Sequence, residues 1–234
     1  MFLQPYFNES CQGVEITPAQ ASAFAKGVAG DFNPIHDVDA KRFCVPGDLL
    51  FALIMGRYGL RQQMQFSFSG MVGAGVTLQL PQAADEMQIC DSRDKPYLSV
   101  CQSGDVSHNR AQIESFIRSY VAFSGLNFTH VLVPLMKAHQ VMINPERPLV
   151  IYESMSFTLS ELDFTEVKLE LVSKTLMADG KRGDVTLEFA LISDGRQVGT
   201  GQKKLVLSGL RPYEETAVQQ LCDAYLARSM AMSA

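Results

Sequence analysis

The stretch 47–59 constrains this chain more than any other part of it. Leu49, Leu50, Phe51, Leu53, Ile54, Met55 and Tyr58 crowd it, so a helix there has almost no polar face. A helix that is apolar on most sides has to be wrapped by other elements. The sequence after it supplies the wrapping: strand-like runs at 64–68, 75–80, 86–90 and 97–102, with a polar turn at 91–95 between two of them.

The segment before it is equally readable. Thr17 and Pro18 open a helix over 19–29, with Ala21, Phe24, Ala25 and Val28 on one face and Gly30 as a left-handed stop. Pro34 blocks continuation, so 31–36 is a turn or loop, followed by a short helical turn at 38–43.

The same plan then returns. A helix is expected over 113–124, Gly125 follows, and a Pro-led apolar stretch at 133–142 reads as a second buried helix. Val133-Pro134-Leu135-Met136 opens it much as Val45-Pro46-Gly47-Asp48-Leu49-Leu50 opens the first. Alternating strands cover 151–159, 167–177, 185–192 and 197–207, with hairpin turns at Asp179-Gly180 and Asp194-Gly195. A helix over 213–230 closes the chain. The expected class is α+β: two antiparallel sheets, each curled around a central helix and pairing edge to edge to hide their open strands. We place the division at 1–108 and 109–234.

Composition sets limits. With 47% hydrophobic and 19% charged residues the chain can fill a core, and a net charge of -5 argues against general nucleic-acid binding. The five cysteines are scattered without metal-type spacing, as expected of reduced thiols. The first residues lack a signal-peptide pattern, and no apolar run reaches the ~18 residues of a membrane span. A cytoplasmic location follows as an expectation.

The chemistry concentrates in Gly30-Asp31-Phe32-Asn33-Pro34-Ile35-His36. A carboxylate and an imidazole flank a proline just ahead of the buried helix, and can hold one water between a base and an acid. Each residue also has a plainer role: Asp31 as a turn residue, His36 as a half-buried histidine bonded to backbone, Asn33-Pro34 as an ordinary turn pair.

This motif, with the Gly-led helix that follows, resembles the MaoC-like dehydratase family of hotdog-fold proteins, which includes R-specific enoyl-CoA hydratases. The resemblance is carried by residues 30–36 and weakens through Phe51. It implies a double hotdog whose second unit is degenerate, and a hydratase or dehydratase of an acyl (enoyl) thioester. Asp31 then matches the water-activating base and His36 the proton donor. Asn33 matches the asparagine that shapes the loop, and Gly47 the glycine whose amide polarises the thioester carbonyl. Such a protein binds a CoA-linked or carrier-linked thioester, needs no cofactor or metal, engages neither nucleic acid nor membrane, and works as a monomeric pseudo-dimer or a homodimer.

Departures from the pattern are specific. Pro46 stands where the family has histidine, and Asp37 and Asp39 flank the position where it has an acid. Asp48 puts a carboxylate beside the expected oxyanion site; it is either the N-cap or first-turn acid of the helix or a group that binds a cation and repels an acyl carbonyl. The second half has Gly125-Leu126-Asn127-Phe128-Thr129-His130, without the aspartate. A non-catalytic acyl-binding protein and a thioesterase are the alternatives. Among weaker candidates, Cys44 reads as a buried thiol, 70–75 as a flexible bend, the methionines as core, and Lys203-Lys204 with Arg211 as either a phosphate contact or a solvated edge.

Overall fold

The computed structural model describes residues 2–125 and 128–233. The first half runs β1 (Asn8–Ser10), β2 (Gly13–Glu15), α1 (Pro18–Phe24), α2 (Gly47–Tyr58), β3 (Leu60–Phe68), β4 (Thr77–Gln79), β5 (Glu86–Asp91) and β6 (Pro96–Ser107). The second runs α3 (Arg110–Gly125), α4 (Val133–Ala138), β7 (Val141–Met142), β8 (Val150–Leu159), β9 (Lys168–Asp179), β10 (Arg182–Ser193), β11 (Arg196–Ser208), β12 (Arg211–Pro212) and α5 (Glu215–Ser233).

Ten strands form one sheet in the order β1-β2-β4-β5-β6-β3-β8-β11-β10-β9, antiparallel throughout. The halves join where β3 pairs with β8, from Gln63 opposite Thr158 to Ser67 opposite Ser154. This is the α+β double-hotdog arrangement expected from the sequence, with α5 closing the chain. Burial of α2 is the reason it holds. Leu49, Phe51, Ala52 and Met55 expose no surface, and each such large side chain contributes ~1.5–3 kcal/mol through area removed from water. Phe51 meets Phe66 on β3 and both Phe116 and Tyr120 on α3, so one aromatic cluster ties the two halves together.

Local signals account for most boundaries. Thr17 and Gln20 form a reciprocal capping box at the start of α1, and after a single π turn over Ala25–Ala29 the chain leaves at Gly30 with φ 65°. The hairpins turn at Gly180 and at Asp194-Gly195, each at positive φ.

Three expectations are corrected. The helical turn sits at Pro34–His36, where Asn33 caps Ile35, and 38–43 is a pair of simple turns. The Pro-led apolar stretch gives only α4, because Gln140 takes φ 54° and Val141–Met142 pairs with β12. The buried helix of the second half is instead α3, capped by the Asn109 side chain and packed on α2. Of the segment compared with the Asp31 loop, Leu126 and Asn127 lie outside the described residues. The polar hairpin β1–β2, absent from the sequence reading, extends the sheet past β4.

Candidate active site

The turn after Gly30 places its polar groups through main-chain contacts. Asp31 Oδ1 accepts the Asn33 N–H at 2.9 Å, and Asn33 Oδ1 accepts the Ile35 N–H at 3.2 Å. The plain role of Asp31 as a turn residue is therefore real, but it uses one oxygen. The other, Oδ2, faces His36 Nε2 at 3.6 Å. That gap is too long for a direct hydrogen bond, and it lets a single oxygen atom touch both groups. His36 Nδ1 lies 2.6 Å from the Cys44 carbonyl. A carbonyl only accepts, so Nδ1 carries a proton and Nε2 is the nitrogen free to exchange one. Cys44 thus contributes its backbone; its thiol is pushed up to about 11 by burial.

Both groups line a cavity of about 550 Å³, within the range of small-molecule sites. Asn33, Gly47 and Asp48 line it too, so the residues matched to the motif and its following helix start meet in one place, whereas Lys204 and Arg211 do not join them. Gly47 begins α2, where first-turn amides have no intrahelical acceptor and the helix dipole favours negative charge. Its lack of a side chain serves packing: a Cβ there would meet the Tyr152 ring at 2.6 Å and Phe68 at 3.3 Å.

Asp48 is the first-turn acid of α2 and not its N-cap, and it does not stand alone. Pro46 is the N-cap residue, and Asp48 sits buried in the first turn. Its Oδ2 accepts a 2.5 Å hydrogen bond from Ser124 Oγ at the end of α3, while Oδ1 has no hydrogen-bond partner among the described residues. Ser124 Oγ in turn accepts from Lys203 Nζ on β11. Lys203 is buried, and its ammonium lies 4.2 Å from the centroid of the Tyr152 ring. Burial raises the Asp48 carboxyl above its ordinary range, opposed by Lys203 and Ser124. Burial also lowers the Lys203 ammonium, opposed by Asp48 and Asp31. The expected like-charge penalty at the oxyanion site is therefore offset from within the protein. Lys203 is no solvated edge, unlike its neighbour Lys204.

The C-terminal helix completes the wall. The Tyr225 hydroxyl accepts the Phe32 N–H at 3.2 Å and lies within 3.5 Å of Asp31 Oδ1. Asp37, next to His36, pairs with Lys26 at 2.7 Å and with Arg228 on α5. Burial of the Asp37 carboxyl works against these two partners, which hold it below its usual range. Ser124, Tyr152 and Tyr225 come from remote elements and give no site signal in the sequence, where Lys203 reads only as a phosphate contact or a solvated edge. Lys203 alone left a signal, sharing strand parity with buried Leu205 and Leu207.

The model of the family described as "Protein of unknown function (DUF3581)" matches residues 1–216. The chain belongs to DUF3581. No curated protein matches it. Among solved structures, the DUF3581 chain is similar to an acyl-CoA thioesterase II, TesB2, from Mycobacterium marinum, at 10% identity and TM-score 0.41, over 92% of this chain and 99% of that one. It is similar to the full-length peroxisomal multifunctional enzyme type 2 from Drosophila melanogaster at 10% identity and TM-score 0.44, over 82% of this chain and 47% of that one. A 12:0-ACP thioesterase from Umbellularia californica aligns at 8% identity and TM-score 0.34, over 69% and 76% of the two chains. These scores are too low to bear on residues or activity; the fold stands on strand order and helix placement. Among the described residues, no helix is long and apolar enough to cross a membrane.

Proposed function

We propose that this protein hydrates an enoyl thioester, or dehydrates the corresponding 3-hydroxyacyl thioester, at Asp31 and His36. The observation that carries the proposal is the 3.6 Å approach of Asp31 Oδ2 to His36 Nε2 on the wall of the cavity. In the hydration direction a water between them gives its proton to Asp31 as its oxygen bonds to the β-carbon. Protonated His36 delivers the Nε2 proton to the α-carbon. Return of the proton from Asp31 to Nε2 restores the pair, and the Nδ1 bond to Cys44 keeps the ring in place throughout. Positioned groups of this kind contribute ~10²–10⁴-fold. Negative charge developing on the thioester oxygen is met by first-turn amides of α2, beginning at Gly47.

The test is decay of the conjugated enoyl-thioester absorbance when protein is added, with Asp31→Asn as the inactive control. Absence of turnover over short and long acyl chains would sink the proposal. A second reading, acyl-thioester binding without hydration, is favoured by one observation: the Tyr152 ring occupies the space that Gly47 would otherwise open to a ligand. Native mass spectrometry of the purified protein separates the two, since a retained thioester with no turnover supports binding alone. Release of free thiol from a saturated acyl-CoA would identify a thioesterase.

A further inference from the structure

An ammonium group kept inside a protein is expensive, costing several kcal/mol unless its environment compensates it. Lys203 has incomplete compensation. Its neighbours on the paired strands are apolar: Leu187 on β10 and Met155 on β8, both buried. Its hydrogen-bond partner among the described residues is Ser124 Oγ, whereas an ammonium carries three donors. Tyr152 and Tyr120 offer ring faces, at 4.2 and 5.9 Å from Nζ. Faces stabilise a cation without accepting a conventional hydrogen bond. The two tyrosine hydroxyls are turned to each other. Lys203 also lines the cavity that holds Asp31 and His36.

The other cation at the cavity wall, Arg228, is engaged by Asp37. Asp31 and Asp48 present carboxylates, which accept hydrogen bonds and repel an electron-rich oxygen when ionised. A carbonyl or carboxylate oxygen entering the cavity therefore meets donors at the α2 amides and at Lys203.

We propose that Lys203 is a ligand-binding residue that receives an acyl oxygen, either the carbonyl of a thioester or a free carboxylate. Ser124 and Asp48 hold it in position from behind. This deepens the acyl-thioester reading and rests on it for the identity of the ligand. The Asp48–Ser124–Lys203 chain draws on α2, α3 and β11, so the binding group exists only once both halves have folded together.

The experiment compares three probes by isothermal titration calorimetry: octanoyl-CoA, the octyl-CoA thioether that lacks the carbonyl oxygen, and octanoate. A hydrogen bond from a charged donor contributes ~1.5–3 kcal/mol, so the wild-type protein should prefer thioester over thioether by ~10–100-fold. Lys203→Met alone strands the buried Asp48, so the decisive variant is Asp48→Asn/Lys203→Met, with its fold checked by circular dichroism. The expected result is loss of the preference with thioether affinity unchanged, a split that general damage to the pocket would not produce. Preference surviving in the double variant overturns the proposal and leaves the hydratase reading standing. Preference lost in the double variant, together with no turnover of any enoyl thioester, keeps Lys203 in its role and removes the hydratase reading. Lys203-dependent binding of octanoate but not of octanoyl-CoA identifies the carboxylate as the ligand. Failure of all three probes to bind the wild-type protein overturns the proposal.

Discussion

Two groups of polar side chains face the same cavity and are built in opposite ways. Asp31 and His36 belong to one short turn, and their orientation is fixed by the Asn33 amide and the Cys44 carbonyl a few residues away. Asp48, Ser124 and Lys203 come from three elements and reach each other across more than seventy positions of sequence, with separations of 76 and 79. The first group is preorganised mainly by local backbone geometry, with Tyr225 and Arg228 of α5 bracing it from outside. The second is a product of tertiary packing and fails as a unit.

Single substitutions can break that contrast. The largest effect is expected for Lys203→Met, which leaves Asp48 buried without its cation. Breaking such a pair costs ~3–5 kcal/mol, measured as a drop in urea-unfolding free energy at neutral pH. The loss should shrink in acid. With its partner gone, the Asp48 carboxyl in the folded state sits above its unfolded value, so the native state binds more protons and stability falls as pH rises. A penalty independent of pH would show that Asp48 carries no charge in the native protein.

Gly47→Ala comes next. The new methyl has to displace the Tyr152 ring, and overpacking of this kind costs ~1–3 kcal/mol. Tyr152→Ala combined with it should recover part of the loss beyond additivity; strict additivity would mean that the two residues do not compete for the space.

Asn33→Ala probes the local group. It removes the acceptor for the Ile35 N–H, a cap worth ~1 kcal/mol. We expect only a small fall in melting temperature but a clear loss of turnover as the turn carrying His36 loosens. Equal effects on both would erase the distinction between the groups.

The smallest effect concerns Asp37 and its two cations. Its carboxyl is held low in the folded state, so its stabilisation is present above the unfolded value of ~3.9 and disappears as pH falls through the folded value. Asp37→Asn should therefore lower the melting temperature at neutral pH, and the difference from wild type should close in acid. A difference that persists at low pH would assign the effect to packing instead.

The same contrast explains what could be read from sequence. The all-apolar helix, the proline-bounded turn and the Asp-Gly hairpins are local codes, and they place α2, Asp31, His36 and the strands of the second half. The stretch 133–142 reads as one helix although its apolar residues fit helix and strand alike. Pairing of Val141–Met142 with Arg211–Pro212 decides the matter, and that partner lies about seventy residues away. Lys203 shows the same difficulty in one residue. Beside Lys204 it looks like surface charge, and only the sheet register turns one lysine inward and the other out. Asp48 stands out in the sequence as a carboxylate at a helix start, and only the fold brings its cation near it.

The β3–β8 seam has a consequence for how this site responds to dilution. Ser124 and Lys203 meet Asp48 through pairing within one polypeptide, so that particular encounter is unimolecular and needs no second chain at a working concentration. It also removes a symmetry constraint. In a dimer of identical units every substitution lands twice, on both sides of the interface. Here an alteration in the turn after Gly30 need not be repeated after α3, which leaves one turn free to carry the acid and the end of α3 to supply Ser124.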